Sequence, residues 1–399
     1  MTQRSSFSTL LVSLATIGAL CAGCAAPSNR RAPITPDDGS QPEAGQRAEG
    51  EFDPDRSAAP PRAQGRDVTF FGEKPEMAEL PFENRLLANY RQHTYATDGL
   101  DFDPAISLDG KTLVFATTRN ADRPDICMKT IDGTAVTQLT ADPADDIQPR
   151  FSPDGTHIAY ASNRSGNWDI WVTDVGGTRL IQLTDDPSDE IAPSWSADGQ
   201  TIAFSLWGRK SYRWEIWTVS VGNPGVRRFL AYGMFADWSP EGNRIAFQRA
   251  RQRGSRWFSV WVADIVDGEA RLPREIAHSE AYACITPRWS ASGDSIVFCG
   301  LRSGLDGDPR GRRVEQRSDI WIVNAEGGQR TKLTDGAAAA FNPIWGPNGR
   351  IFFVSTQSGT ENVWSLRPGL EPVPAAKNVG IQAEARATSI GRSVSTGGN

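Results

Sequence analysis

The stretch Pro149-Arg150-Phe151-Ser152-Pro153-Asp154-Gly155-Thr156-His157-Ile158-Ala159-Tyr160 places two apolar runs on either side of a tight polar turn. Pro fixes φ and Gly supplies positive φ, while the flanking aromatic and β-branched residues favour extended backbone, so the segment reads as a β-hairpin. Downstream, Ser162-Asn163-Arg164 forms a loop, Asp169-Ile170-Trp171-Val172 a third strand, Val175-Gly176-Gly177 a turn, and Leu180 to Thr184 a fourth strand. Four short strands complete one unit.

The unit recurs six times between Asp101 and Leu370. Its turns end at Gly110, Gly155, Gly199, Gly242, Gly293 and Gly349, at spacings of 45, 44, 43, 51 and 56 residues. A period in the forties with four strands per unit is the signature of propeller blades. The third strand carries Trp171, Trp217, Trp261, Trp321 and Trp364, with Cys127 in the first unit, and the inner strand carries Trp195, Trp238, Trp289 and Trp345. Nine of the 13 tryptophans thus fall on repeat positions, where large rings fill the wedge between twisted sheets. The expected fold is all-β: a six-bladed β-propeller of four-stranded antiparallel blades over residues 98–376.

The run from Pro149 to Tyr160, with Ser162-Asn163-Arg164 and Asp169-Ile170-Trp171, resembles the repeat of TolB-type β-propellers, and the likeness extends over all six copies. It is specific for fold and weak for function, since prolyl-oligopeptidase-like peptidases and other exported proteins have similar repeats. The resemblance to TolB implies a soluble periplasmic protein with an additional α/β domain before the propeller and contacts with the lipoprotein Pal. This chain departs from that pattern at its N-terminus.

There, Arg4 precedes an apolar stretch from Phe7 to Leu20, followed by Cys21-Ala22-Gly23-Cys24. About 14 apolar residues are too few to span a bilayer comfortably, so residues 1–23 read as a secretion signal. The small residues before a cysteine resemble a bacterial lipobox, with Cys24 as the lipidated first residue of the mature chain. No Asp follows it, which resembles lipoproteins sorted to the outer membrane. Residues 24–66 are rich in Pro, Gly, Gln and charge and read as a disordered tether. A random coil of about 42 residues would hold the propeller roughly 35 to 40 Å from the bilayer. Residues 67–97 form a pre-propeller segment, in which Val68 to Phe71 reads as a strand that could pair with the last blade and close the ring, and Pro75 to Gln92 as a short amphipathic helix. The fourth strand of the last blade is expected from Pro372 to Ala376, and residues 377–399 read as a flexible tail.

The chemistry disfavours an enzyme. No Gly-x-Ser-x-Gly occurs, and His93, His157 and His278 lie in different contexts. A net charge of −6 argues against a general nucleic-acid binder. Cys284 and Cys299 flank the fifth turn and are read either as a cross-strand disulfide or as two separate buried thiols.

Acids collect in the loops entering the first three blades, among them Asp103, Asp145, Asp146, Asp189 and Glu190. They are candidates for partner or ion binding at the channel mouth: either they hold a hard cation such as calcium, or Arg119, Arg164 and Arg209 cap them. Arginines collect in the late blades: Arg249, Arg251, Arg253 and Arg256 in the fourth, and Arg302, Arg310, Arg312, Arg313 and Arg317 in the fifth, whose loop is a candidate docking loop. The sequence reading is therefore a monomeric, lipid-anchored envelope propeller that recognises a protein partner, periplasm-facing or surface-exposed. The alternatives are a binder of extracellular glycan or peptide, or a polysaccharide-acting enzyme.

Overall fold

The computed structural model describes residues 90–250, 258–302 and 317–368. Cys24, the tether, Val68 to Phe71, Pro372 to Ala376 and the C-terminal tail lie outside them. Among the described residues the elements are 24 strands in six four-stranded antiparallel sheets. After a two-residue strand β1 (Arg91–Gln92), blade one is β2 (Asp101–Ile106), β3 (Thr112–Thr117), β4 (Asp125–Thr130) and β5 (Thr137–Gln138). Blade two is β6 (Asp146–Phe151), β7 (His157–Ser162), β8 (Asp169–Asp174) and β9 (Leu180–Gln182). Blades three, four and five follow as β10–β13 (190–232), β14–β17 (234–277) and β18–β21 (283–332), and β22–β24 (340–366) belong to blade six.

The repeated turns have one geometry. All six terminal glycines lie at φ between 70° and 75°, which a side chain rarely tolerates. In the second, the Gly155 N–H donates to Ser152 O (2.9 Å) and the Thr156 N–H to Asp154 Oδ1 (3.0 Å). Between blades, the repeat tryptophans pack as expected: Trp289 and Trp321 lie at the four–five seam, Trp238 and Trp261 at three–four, and Trp345 and Trp364 at five–six.

Ring closure differs from the expectation. Blade six takes its outer strand from the N-terminal side: β1 pairs with β24, Arg91 opposite Ser365 and Gln92 opposite Trp364. Residues 372–376 therefore do not supply it, and Arg91–Gln92 is strand rather than the end of a helix. The propeller thus begins before residue 98. A two-residue strand has no hydrophobic alternation to read; it is held by what surrounds it. Tyr90 packs edge-to-face on Phe353 at 6.0 Å, and the His93 N–H donates to Val363 O at 2.8 Å.

His93 makes this closure sensitive to acid. Its ring is buried, 5.0 Å from Phe352, with Nε2 2.8 Å from Ser365 Oγ. Burial, followed by the nearby Arg91, Arg350 and Lys129 charges, lowers its pKa to about 4 against a partial upward pull from the Ile131 carbonyl. The unfolded chain, near 6.5, takes up the proton first, so stability is complete above about pH 6.5 and falls as pH drops toward 4. Between pH 7 and 4.5, wild type should lose about 2 to 3 kcal/mol more than His93→Gln in urea denaturation. Equal losses would show that His93 takes up its proton at the same pH in the folded and the unfolded chain.

Candidate functional site

Two sets of connections open on one end of the blades: the loops entering the inner strands and those joining second to third strands. The ladders fix this, with Asp101 opposite Thr117, Asp146 opposite Ser162 and Glu190 opposite Leu206. The carboxylates of this rim do not gather on the axis. Asp101 and Asp146 are held by arginines of their own blades, and Asp145 and Asp189 by groups across a seam. Asp101 is bound by Arg119, whose Nε donates to Oδ1 at 2.8 Å, and by the Thr117 hydroxyl at 2.7 Å. Arg164 reaches Asp146 at 3.0 Å and Asp142 at 2.8 Å while stacking over Trp171 (4.9 Å) and Tyr160 (5.6 Å). Asp145 pairs with Arg123 at 3.5 Å and accepts from Asn163 Nδ2 at 2.9 Å. Asp189 accepts from the Trp168 N–H at 3.2 Å.

In blade three the cap is not the expected one. Arg209 donates to the Pro187 carbonyl, and Arg227 on β13 (Arg227–Tyr232) binds Glu190 at 3.2 Å and Asp185 at 2.8 Å. Arg227 lies 37 residues downstream of Glu190, and no local spacing marks it. Among the described residues, no group of three or more His, Cys, Asp or Glu side chains could hold a metal ion. The calcium alternative therefore has no ligand set among them.

The seams pair acids as well. Asp146 faces Asp125 across the one–two seam and Glu190 faces Asp169 across the two–three seam, with backbone bonds from the Asp146 N–H to Pro124 O (2.8 Å) and the Glu190 N–H to Trp168 O (2.7 Å). Burial, reinforced by its neighbouring carboxylate, raises Asp125 to about 6. Glu190 rises to about 8, mainly through burial, against the lowering pull of the Thr184 hydroxyl and Arg227.

On the basic side, Arg302 ends β19 (Ser295–Arg302) and Arg317 begins β20 (Arg317–Asn324), directly opposite one another and both exposed. Arg310, Arg312 and Arg313 lie outside the described residues. Arg249 stacks over Trp261 at 5.2 Å. Cys284 and Cys299 are buried thiols set one step out of register: Cys284 is opposite Gly300, and Ile285 is opposite Cys299. Neighbouring positions on a strand alternate faces, so the two side chains point to opposite sides of the sheet. Cys284 joins the four–five core and Cys299 approaches Ala340 O of blade six.

Asp103 is displaced from the rim onto the channel axis. Each inner strand carries a bulge whose central residue has positive φ: Asp103, Gln148, Ala192, Phe235, Thr286 and Asn342, at 48° to 57°. Six non-glycine residues in this conformation around one axis are uncommon, and each costs about 1 to 3 kcal/mol. A proline follows five of them (Pro104, Pro149, Pro193, Pro287, Pro343), a signal that was present in the sequence but is also consistent with strand ends. Asp103 accepts from Asn342 Nδ2 of blade six (2.6 Å) and the Gln148 N–H of blade two (3.2 Å), stitching the ring across its closure. Two residues further on, Arg150, Asp237 and Arg288 also line the axis. Burial raises the Asp103 and Asp237 carboxyls above the usual range.

Comparison with known proteins agrees with this architecture. Residues 103–259 and 169–379 match the tricorn protease N-terminal beta propeller domain. The structure of a protein solved as a TolB from Agrobacterium tumefaciens superposes with a TM-score of 0.51 at 22% identity, covering 68% of this chain and 91% of that one. The peptidase YuxL of Bacillus subtilis is 26% identical over 125 residues, which is 31% of this chain and 17% of YuxL. Atu1656 of Agrobacterium fabrum is 31% identical over 80 residues, 20% of this chain and 23% of that protein. The matched segments thus span less than a quarter of these two relatives. With the family match running across all six blades, the chain belongs to the family of the tricorn protease N-terminal beta propeller domain.

Proposed function

We propose that this propeller is a protein-interaction module of the cell envelope, held at the outer membrane through Cys24, whose rim takes a segment of a partner protein. The observation that carries the reading is the pair Arg302 and Arg317. Like charges directly opposite on antiparallel strands repel, and both guanidiniums are exposed, so an acidic group entering between them relieves the repulsion. The contrast with blades one to three is instructive, because there Arg119, Arg164 and Arg227 are already committed to carboxylates of this chain. A partner with an acidic segment is therefore steered to the late blades and away from the early ones. The family and the TolB-like fold support an interaction role of this kind.

The test is crosslinking in intact envelopes, read by mass spectrometry, comparing wild type with a variant in which Arg302, Arg310, Arg312, Arg313 and Arg317 are serine. A partner should be captured by wild type, weaken at high salt, and be lost from the variant. Unchanged capture would remove the docking face.

A further inference from the structure

The inner strands build a second, deeper feature that the rim does not use. Two residues beyond the positive-φ residue of each inner strand stand Ala105, Arg150, Ser194, Asp237, Arg288 and Ile344. Blades two and five are opposite in a ring of six, so Arg150 and Arg288 approach the axis from facing walls. Both turn sideways along the wall: Arg150 Nη1 reaches Pro104 O of blade one at 3.5 Å, and Arg288 Nη1 reaches Ala236 O of blade four at 3.4 Å.

The two acids beside them are already engaged. Asp237 pairs with Arg288 at 3.4 Å and accepts from the Trp289 N–H at 2.8 Å, and Asp103 is bound by Asn342 and the Gln148 N–H. Arg150 is not engaged in this way. Its hydrogen bonds go to the carbonyls of Pro149 (2.7 Å) and Pro104, no carboxylate of the described residues lies at ion-pair distance, and its buried Nε–H has no acceptor. Thr286 presents a second such group: it is 3% exposed, one of the six bulge residues, and its Oγ1 has no partner. A buried donor left without a partner is costly, and native interiors nearly always satisfy one.

We infer that the channel axis is a binding site for a carboxylate group, held by the Arg150 and Arg288 guanidiniums with the Thr286 hydroxyl as a further donor. A planar monoanion suits the donors: guanidinium forks match a carboxylate edge to edge. A phosphate dianion fits less well, because Asp103 and Asp237 already place two carboxylates in the same wall. Burial, and then the like charge of Arg288, lowers Arg150 to about 9 against the upward pull of the Asp103 and Asp237 carboxylates. The site stands apart from the rim reading, since it uses inner-strand residues alone. Its ligand has two sources: a small free carboxylate, or the chain terminus of a peptide threaded into the channel.

The experiment uses fluorine NMR on the full chain in chloride-free buffer. Trifluoroacetate is titrated in one arm; in the other, a trifluoromethyl-labelled tripeptide is compared with its C-terminal amide. Wild type should broaden the trifluoroacetate resonance saturably. Arg150→Gln should raise the dissociation constant at least tenfold, with Arg150→Lys and Thr286→Val several-fold weaker than wild type. Tighter binding of the free-acid peptide than of its amide identifies a chain terminus as the source, and trifluoroacetate binding alone identifies a small anion. Absence of saturable broadening in wild type would overturn the inference. So would wild-type affinity in Arg150→Gln, or, if that variant does not fold, in both Arg150→Lys and Thr286→Val.

Discussion

Replacing Asn362 with alanine should destabilise the propeller by about 3 kcal/mol. Asn362 is fully buried at the start of β24 (Asn362–Leu366) and uses both ends of its amide. Its Oδ1 accepts from the Ala96 N–H (2.7 Å) and the Thr94 hydroxyl (3.1 Å), and its Nδ2 donates to Ala96 O (3.2 Å), Ser358 Oγ (3.0 Å) and Thr360 Oγ1 (3.0 Å). Thr94 in turn accepts the Val363 N–H at 2.9 Å. One side chain thus ties the segment after β1 to the last blade, across 266 residues of sequence. Alanine leaves the Ala96 N–H and the Thr94 hydroxyl without their acceptor, while the Ala96 C=O keeps the Thr360 hydroxyl at 2.8 Å, and a buried group left unpaired costs about 1 to 3 kcal/mol. For a domain of this size that corresponds to a fall in melting temperature on the order of 10 °C. Urea denaturation followed by tryptophan fluorescence measures the loss, and hydrogen exchange at the His93 amide should accelerate in parallel. A loss below about 1 kcal/mol would mean that the ring is closed by blade-to-blade packing alone.

The contrast between this seam and the rest of the ring explains what the sequence could and could not disclose. The blades were legible because their signal is local: a Gly at the turn, alternating apolar residues in six-residue strands, and a Trp whose position repeats. Blade two shows this, its predicted strands matching β6 to β9 to within two residues at each end. Closure was not legible, because β1 is two polar residues whose fixing partner is far away in sequence. The rim was half legible. Arg119 and Arg164 stand 18 residues after Asp101 and Asp146, a spacing that follows from one hairpin, so the cap could be foreseen. Glu190 departs because blade three lengthens its hairpin and the cation arrives from β13 instead. The axial residues were least legible of all. Asp103, Arg150, Asp237 and Arg288 come from four blades and meet only because six inner strands converge, and the bulge that turns them inward depends on backbone conformation that no residue type there demands.

Arg164→Met tests whether the seams are held by charge, and its signature is in pH as much as in magnitude. Arg164 sits between the fully buried Asp146 and the partly exposed Asp142, with its Nε donating to Ser162 Oγ at 2.9 Å and its guanidinium stacked on Trp171. Methionine keeps most of the apolar stem and removes the charge. At pH 7 this leaves the Asp146 carboxylate buried without its cation, a change that costs about 3 to 5 kcal/mol. Burial already raises the Asp146 carboxyl, with Ser162, Thr140 and Arg164 opposing it, so removing Arg164 shifts it further upward. A carboxyl whose folded-state pKa lies above its unfolded value is more protonated in the folded protein. Its penalty is therefore greatest at high pH and fades as pH falls through the folded pKa. The variant's deficit relative to wild type should accordingly shrink by at least about 1 kcal/mol between pH 7 and 4.5. His93 titrates in the same window in both proteins and cancels in the difference. A deficit that is constant with pH would assign the role of Arg164 to stacking and shape, and the rim carboxylates would then owe their placement to the blades rather than to their arginines.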